Sequence, residues 1–224
     1  VTNRWKTYLL RGALAACVLS GTLFAQDWRP LFTAKSMDGW QHTPADRVTY
    51  KLIDGMLVSQ MNAKGMMRYS KEAFGDCTIK LVYQMSNNRG NAGVFIRIPT
   101  VDSTEKDAIN KGIEVQIDET DDDWHSTGVL YSMTRAKARP FKAQGAWNTM
   151  EITLDGLRTT VVVNGTMVTD YDGKADVPLK RASYEPDRGP RAEKGYLGLQ
   201  NHDSRATITF KEISVRPLEK KSGS

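Results

Sequence analysis

The chain has 224 residues, 40% of them hydrophobic and 8% aromatic, enough to bury one good core. Its formal charge of +5 includes Arg4, Lys6 and Arg11; without them 28 cations face 26 anions, about +2. That balance, with no interleaved aromatic and basic motif, gives no footprint for a nucleic-acid partner.

In chain order, the first element is a leader. Arg4, Lys6 and Arg11 form a basic head, "GALAACVLSGTLF" an apolar body, and Ala25 a small residue for cleavage. Residues 1–25 are therefore expected to be a signal peptide, and the protein periplasmic or extracellular. "LAAC", ending at Cys17, is a rival lipoprotein signal. Cleavage after Ala25 is preferred, because the apolar run then has the usual ~7–15 residues. No transmembrane anchor is expected, since no later segment approaches ~18 apolar residues. Cys77 is in phase with Ile79, Leu81 and Tyr83 and reads as a core thiol.

Nearly every segment after Trp28 alternates with the period of a strand. "VTYKLIDGMLVS" is a hairpin around Asp54-Gly55, and "DCTIKLVYQM" and "AGVFIRIP" follow as strands. "STEKDAINKG" offers one or two helical turns, then "GIEVQIDE" and "TGVLYSM" read as strands. "WNTMEITLDG", "RTTVVVNGTMVTDYD" with its Asn164-Gly165 turn, "KGYLGLQN" and "RATITFKEISVRPL" complete about ten strands. This pattern predicts an all-β, single-domain antiparallel β-sandwich of jelly-roll type over residues 27–218. Residues 219–224 are expected to be a disordered tail.

Period-two phase sorts the side chains into faces. Ile79, Leu81, Tyr83, Met150, Ile152 and Leu154 belong to the core. Opposite the apolar phase stand Glu114, Gln116 and Asp118 on one strand, Phe95 and Arg97 on another, Gln200 and His202 on a third. These polar positions form a candidate site if their strands share a sheet. Gly198 on the same phase removes bulk that could make room for a ligand. The run Asp121–Asp123 could hold a hard cation, but it lacks the alternating EF-hand pattern, so a solvated turn is the default reading. No zinc, nucleotide or serine-hydrolase fingerprint is present.

These stretches resemble a known family. "LFTAKSMDGWQ", "GNAGVFIR", "GIEVQIDE", "HSTGVLY", "GAWNTMEI", "VVVNG" and "GYLGLQNH" occur in the order of the bacterial 3-keto-disaccharide hydrolase domain family. The resemblance covers nearly the whole chain after the leader. It implies a concanavalin-like jelly roll with a polar concave face, a carbohydrate substrate, and site positions Arg97, Glu114, Gln116, Tyr131, Gln200 and His202. Ala92, Asn201 and Asp203 depart from the usual Ser, Asp and Gly.

The implied chemistry is cleavage of a 3-keto-glycoside by elimination and hydration. It needs a base at C2, an acid at the glycosidic oxygen and a donor or cation at the ketone. Glu114 and His202 are the candidates for proton transfer. Arg97, Gln116, Asp118, Tyr131 and Gln200 are candidates for binding substrate. A divalent cation could polarise the ketone, but no dedicated motif for one appears. Two alternatives stand beside this reading. A laminarinase-like glycosidase would need two carboxyls ~5–5.5 Å apart, whereas Glu114 and Asp118 are about 13 Å apart along an ideal strand. A non-catalytic, lectin-like module would use the same polar face only to bind sugar. The sequence carries no sign of oligomeric state.

Overall fold

Alternating β-branched and polar residues bury one face of each strand, and two such faces close on each other. The computed structural model describes residues 27–202 and 205–219. The leader with Cys17 and Ala25, Asp203, and all of the tail except Glu219 lie outside them. Among the described residues, no helix is long and apolar enough to cross a membrane.

Among the described residues, thirteen strands form two antiparallel sheets, giving the expected jelly-roll sandwich. The larger sheet contains β1 (Arg29–Pro30), β3 (Tyr50–Ile53), β4 (Met56–Ser59), β6 (Cys77–Met85), β9 (Asn148–Asp155), β10 (Arg158–Val163), β11 (Thr166–Tyr171) and β13 (Ile208–Pro217). The smaller sheet runs in the order β2 (Trp40–Thr43), β5 (Gly65–Phe74), β12 (Gly195–Asn201), β7 (Ala92–Ile98), β8 (Ile113–Ile117). Asp54-Gly55 and Asn164-Gly165 take the positive φ angles (50° and 77°; 48° and 81°) that tight hairpins demand.

The core lies between the sheets. Ile79, Leu81, Tyr83, Met150, Ile152 and Leu154 from the larger sheet are fully buried, as are Val94, Val115, Ile117, Leu197 and Leu199 from the smaller. Cys77 joins this core, where burial pushes its thiol up to about 12. It is inert packing at neutral pH.

Two expectations about elements change. "TGVLYSM" is not a strand: it is a turn-rich segment with one bridge, Leu130 to Val115, beside β8. Positive φ at Gly128 (89°) and Ser132 (54°) bends it out of extended geometry. Conversely β5, ten residues long, carries no clean alternation in sequence, because Met66 and Met67 are both fully buried on opposite faces.

One helix, α1 (Glu105–Lys111), precedes β8. Thr104 caps it by accepting from the Asp107 backbone N–H, and Asp107 returns a bond to the Thr104 backbone. Ala108 of α1 packs on Met66, Phe95 and Ile98, so the helix covers that part of the smaller sheet's outer face. The cleft opens beside it.

Candidate active site

Strand register brings the polar residues of this face together. One row across the sheet runs Met66–Gln200–Gly93–Gln116, and the next runs Arg68–Gly198–Phe95–Glu114. Gln200, Gln116 and Glu114 therefore share one face, as their phase predicts. With Asn91, Ile109, Tyr131, Tyr184, Pro186 and His202 they line a cleft of about 460 Å³. A volume of this size is in the range of ~300–1,000 Å³ typical of small-ligand sites.

Glu114 is the electrostatic centre of the cleft. Its side chain leans diagonally over Gly93, where a Cβ would come within 2.1 Å of Glu114 Oε1. With its amide nitrogen facing two acceptors, Gln116 donates to Ala92 O at 3.0 Å and to Glu114 Oε1 at 3.2 Å. Glu114 keeps a partly exposed outline toward the cleft, but protein atoms enclose the carboxyl. Burial, reinforced by the nearby Glu105 carboxylate, pushes its pKa up to about 8. Burial and Glu114 also push the Tyr131 phenol upward, so its O–H remains a hydrogen-bond donor. The ring of His125 packs against Tyr131 at 4.8 Å between centroids, fixing it from behind.

Replacing Gly93 tests this packing. Gly93→Ala places the new methyl where the Glu114 Cγ, Cδ and Oε1 now lie, within 2.1–2.8 Å. The carboxyl must swing away while the buried backbone stays. Any activity that depends on Glu114 should fall roughly 100-fold with a cooperative melt retained, because displacing a working group by ~1 Å costs about that much.

Three sequence expectations are corrected. Arg97 is not in the cleft. Between Tyr196↔Ile98 and Gly198↔Phe95, β7 spends three residues against two on β12, a bulge that reverses the phase at Arg97, whose φ is +57°. Its guanidinium is buried at the sandwich end, donating to Ala192 O (2.7 Å), Gly156 O (2.9 Å) and Arg158 O (3.3 Å). Gly195 permits the bulge, since a Cβ there would meet the Arg97 carbonyl carbon at 2.4 Å.

Asp118 is also outside the cleft lining. It is 5% exposed, and its Oδ1 accepts from Thr120 N, Thr120 Oγ1 and Asp121 N, closing the turn after β8. Gly198 makes room for Met66 and Ile98, whose side-chain atoms would lie 2.8 and 3.0 Å from an added Cβ, rather than for a ligand.

Asn201, one of the departures from the resembled family, has a physical role. Its amide donates to Gln60 O (2.7 Å), Ala63 O (2.9 Å) and Thr49 O (3.4 Å), which an ionised Asp could not do. His202 follows directly and sits exposed at the cleft edge.

Glu105, Tyr184 and Gly93 escape the sequence reading. Glu105 and Tyr184 sit on a short helix and an irregular loop without periodicity, and a glycine leaves no chemical signal. Asp121, Asp122 and His125 place possible ligand atoms within 4.8 Å of one another, the one such group among the described residues. Asp122 Oδ1 already accepts from Trp124 N and meets His125 Nδ1, both at 2.8 Å, so the turn is held by its own bonds. None of the three lines the cleft.

Known proteins agree with this architecture. Residues 27–216 match the family model described as a 3-keto-alpha-glucoside-1,2-lyase-like domain. A proposed glycosyl hydrolase from Parabacteroides distasonis ATCC 8503 superposes with a TM-score of 0.69 at 24% identity, covering 86% of this chain and 100% of its own. A second from that organism gives 0.69 at 17%, covering 84% and 93%. The carbohydrate-binding module CBM66 from Bacillus subtilis gives 0.50 at 16%, covering 80% and 95%. Among curated proteins, none matches the chain.

Proposed function

We propose, for a chain that belongs to the 3-keto-alpha-glucoside-1,2-lyase-like domain family, that the cleft cleaves 3-keto-glycosides by elimination. The observation that carries this reading is Glu114: one carboxyl, enclosed, with a pKa of about 8, in a cleft whose other polar groups are amides, hydroxyls and a histidine. A group that titrates near working pH is suited to taking and returning a proton. A retaining glycosidase needs a second carboxyl facing the same substrate; Asp118 is committed to its turn, and Glu105 lies outside the cleft lining.

In the proposed step the ketone at C3 acidifies the C2–H. Ionised Glu114 takes that proton, the electron pair becomes the C1=C2 bond, and the C1–O bond breaks. His202, at the cleft edge, gives a proton to the departing oxygen. Tyr131 and Gln200 supply donors to the ketone and ring hydroxyls, offsetting charge that develops on the enolate, while Gln116, whose two amide hydrogens go to Ala92 O and Glu114 Oε1, offers its oxygen as an acceptor. Water then adds across C1=C2 to give the free 3-keto-sugar. Arg97 has no part in it.

We further propose that the protein acts after export, on the basis of the leader motif; N-terminal sequencing of exported protein should begin near Gln26 rather than at a lipid-bearing Cys17.

Product analysis tests the activity. The purified protein should release the aglycone from a 3-keto-glucoside and leave the parent glucoside intact. Cleavage of the parent glucoside points to an ordinary glycosidase, and sugar binding without cleavage of either points to a lectin-like module.

A further inference from the structure

Between β11 and β12 the chain makes a long excursion without strand or helix, residues 172–194. Loops of this length inside a domain are uncommon and usually functional. This one is built rather than loose. Arg188 donates to Pro178 O and Pro186 O, both at 2.7 Å, and pairs with the buried Glu185 at 2.8 Å. Arg191 donates to Gly112 O at 2.7 Å, tying the loop to the start of β8, and Arg97 holds its far end through Ala192 O.

On this anchored loop Tyr184 stands 70% exposed. The ring is thus a rigid aromatic surface offered to whatever enters beside it, at little cost in conformational freedom. Tyr184 and Ile109 line the cleft around Glu114, and the same two residues line a second depression of about 340 Å³ on its outer side. Glu105, Lys106, Asn110 and Ser183 complete that depression. It thus combines an aromatic and an aliphatic surface with charged, amide and hydroxyl groups. A pyranose presents the same combination, with C–H faces above and below a rim of hydroxyls.

We propose that this depression is an outer subsite for the leaving group, with the Tyr184 ring packing on a sugar ring there and Lys106, Asn110 and Ser183 bonding its hydroxyls. The proposal rests on the reading of the inner cleft as the site of the oxidised sugar. It gives a place on this chain to the second sugar of the disaccharide for which the resembled family is named, and makes Tyr184 a specificity-determining residue. The bond to be broken then spans the neck between Ile109 and Tyr184, beside Glu114.

Binding of unoxidised sugars separates this inference from the proposed chemistry. Calorimetric titration of the protein with methyl α-glucoside and with a glucose disaccharide should give a disaccharide affinity roughly three- to tenfold higher, the worth of one aromatic contact. Tyr184→Ala should bring the ratio of the two affinities close to one, and Lys106→Ala/Asn110→Ala should reduce it. Equal affinities in the unaltered protein, equal loss of both ligands in Tyr184→Ala, or no binding of either sugar overturns the subsite. Turnover of methyl 3-keto-glucoside is measured in parallel. Turnover without a disaccharide advantage rejects the subsite and leaves the elimination standing. A disaccharide advantage without turnover does the reverse.

Discussion

Glu114→Gln should lower turnover of a 3-keto-glucoside by roughly 10²–10⁴-fold, the usual contribution of a general base. The substitution keeps the outline of the side chain and its place over Gly93, so the loss reports proton transfer rather than shape. In the unaltered protein kcat/KM should rise with pH and level off above about 8, because the base acts only when ionised. The residual activity of the variant should lack that rise.

The same substitution should stabilise the fold at high pH. A carboxyl whose folded pKa is about 8 instead of 4.5 keeps its proton when the unfolded chain has already lost it. The stability contributed by this group is therefore greatest below pH 4.5, falls through the window up to about 8, and stays reduced above it. Glu114→Gln removes this dependence, so its melting temperature should exceed that of the unaltered protein above pH 8 and approach it in acid. A variant with unaltered turnover, or with a lower melting temperature in alkali, contradicts the role assigned to Glu114.

The second large effect concerns stability alone. Arg97→Met should cost roughly 3 kcal/mol, since the carbonyls of Gly156 and Ala192 lose their charged donor and partly buried acceptors are left without one. The positive φ of +57° adds nothing to the difference, because Met and Arg resist it alike. Urea unfolding measures the loss as a lower midpoint. Below the melt, turnover of a methyl 3-keto-glucoside should stay within a few-fold, since Arg97 is not part of the cleft lining and meets the cleft-wall loop at Ala192, several residues past Tyr184 and Pro186. Full stability with lost turnover would return Arg97 to the active site.

Arg97 also marks where sequence reading stops. Alternation located most strands, both tight hairpins and the core positions on β6 and β9, because hydrophobic burial enforces period two wherever a strand runs unbroken. It placed Glu114, Gln116 and Gln200 on one face for the same reason. One extra residue in β7 defeats it: the bulge exchanges the faces of everything beyond Ile96, and no residue type in "VFIRIP" announces it. Asp118 fails differently. It lies one position past the end of β8, where a turn takes over and local backbone donors claim the carboxylate.

The wall of the cleft was the least legible part. Tyr184 and Pro186 belong to a loop whose shape depends on arginine-to-carbonyl bonds, and such bonds have no period along a chain. Gly93 carries the reverse lesson. Its importance lies in the space it leaves for Glu114, which becomes visible only when the neighbouring strand is in register.

The central claim is that cleavage begins with removal of the C2 proton. A 3-keto-glucoside carrying deuterium at C2 decides it most directly, with samples quenched early and compared with an enzyme-free control. Elimination predicts that the released 3-keto-sugar has lost its deuterium in step with aglycone release, faster than in the control. A released sugar that still carries its C2 deuterium would mean direct displacement at C1 and would contradict the account.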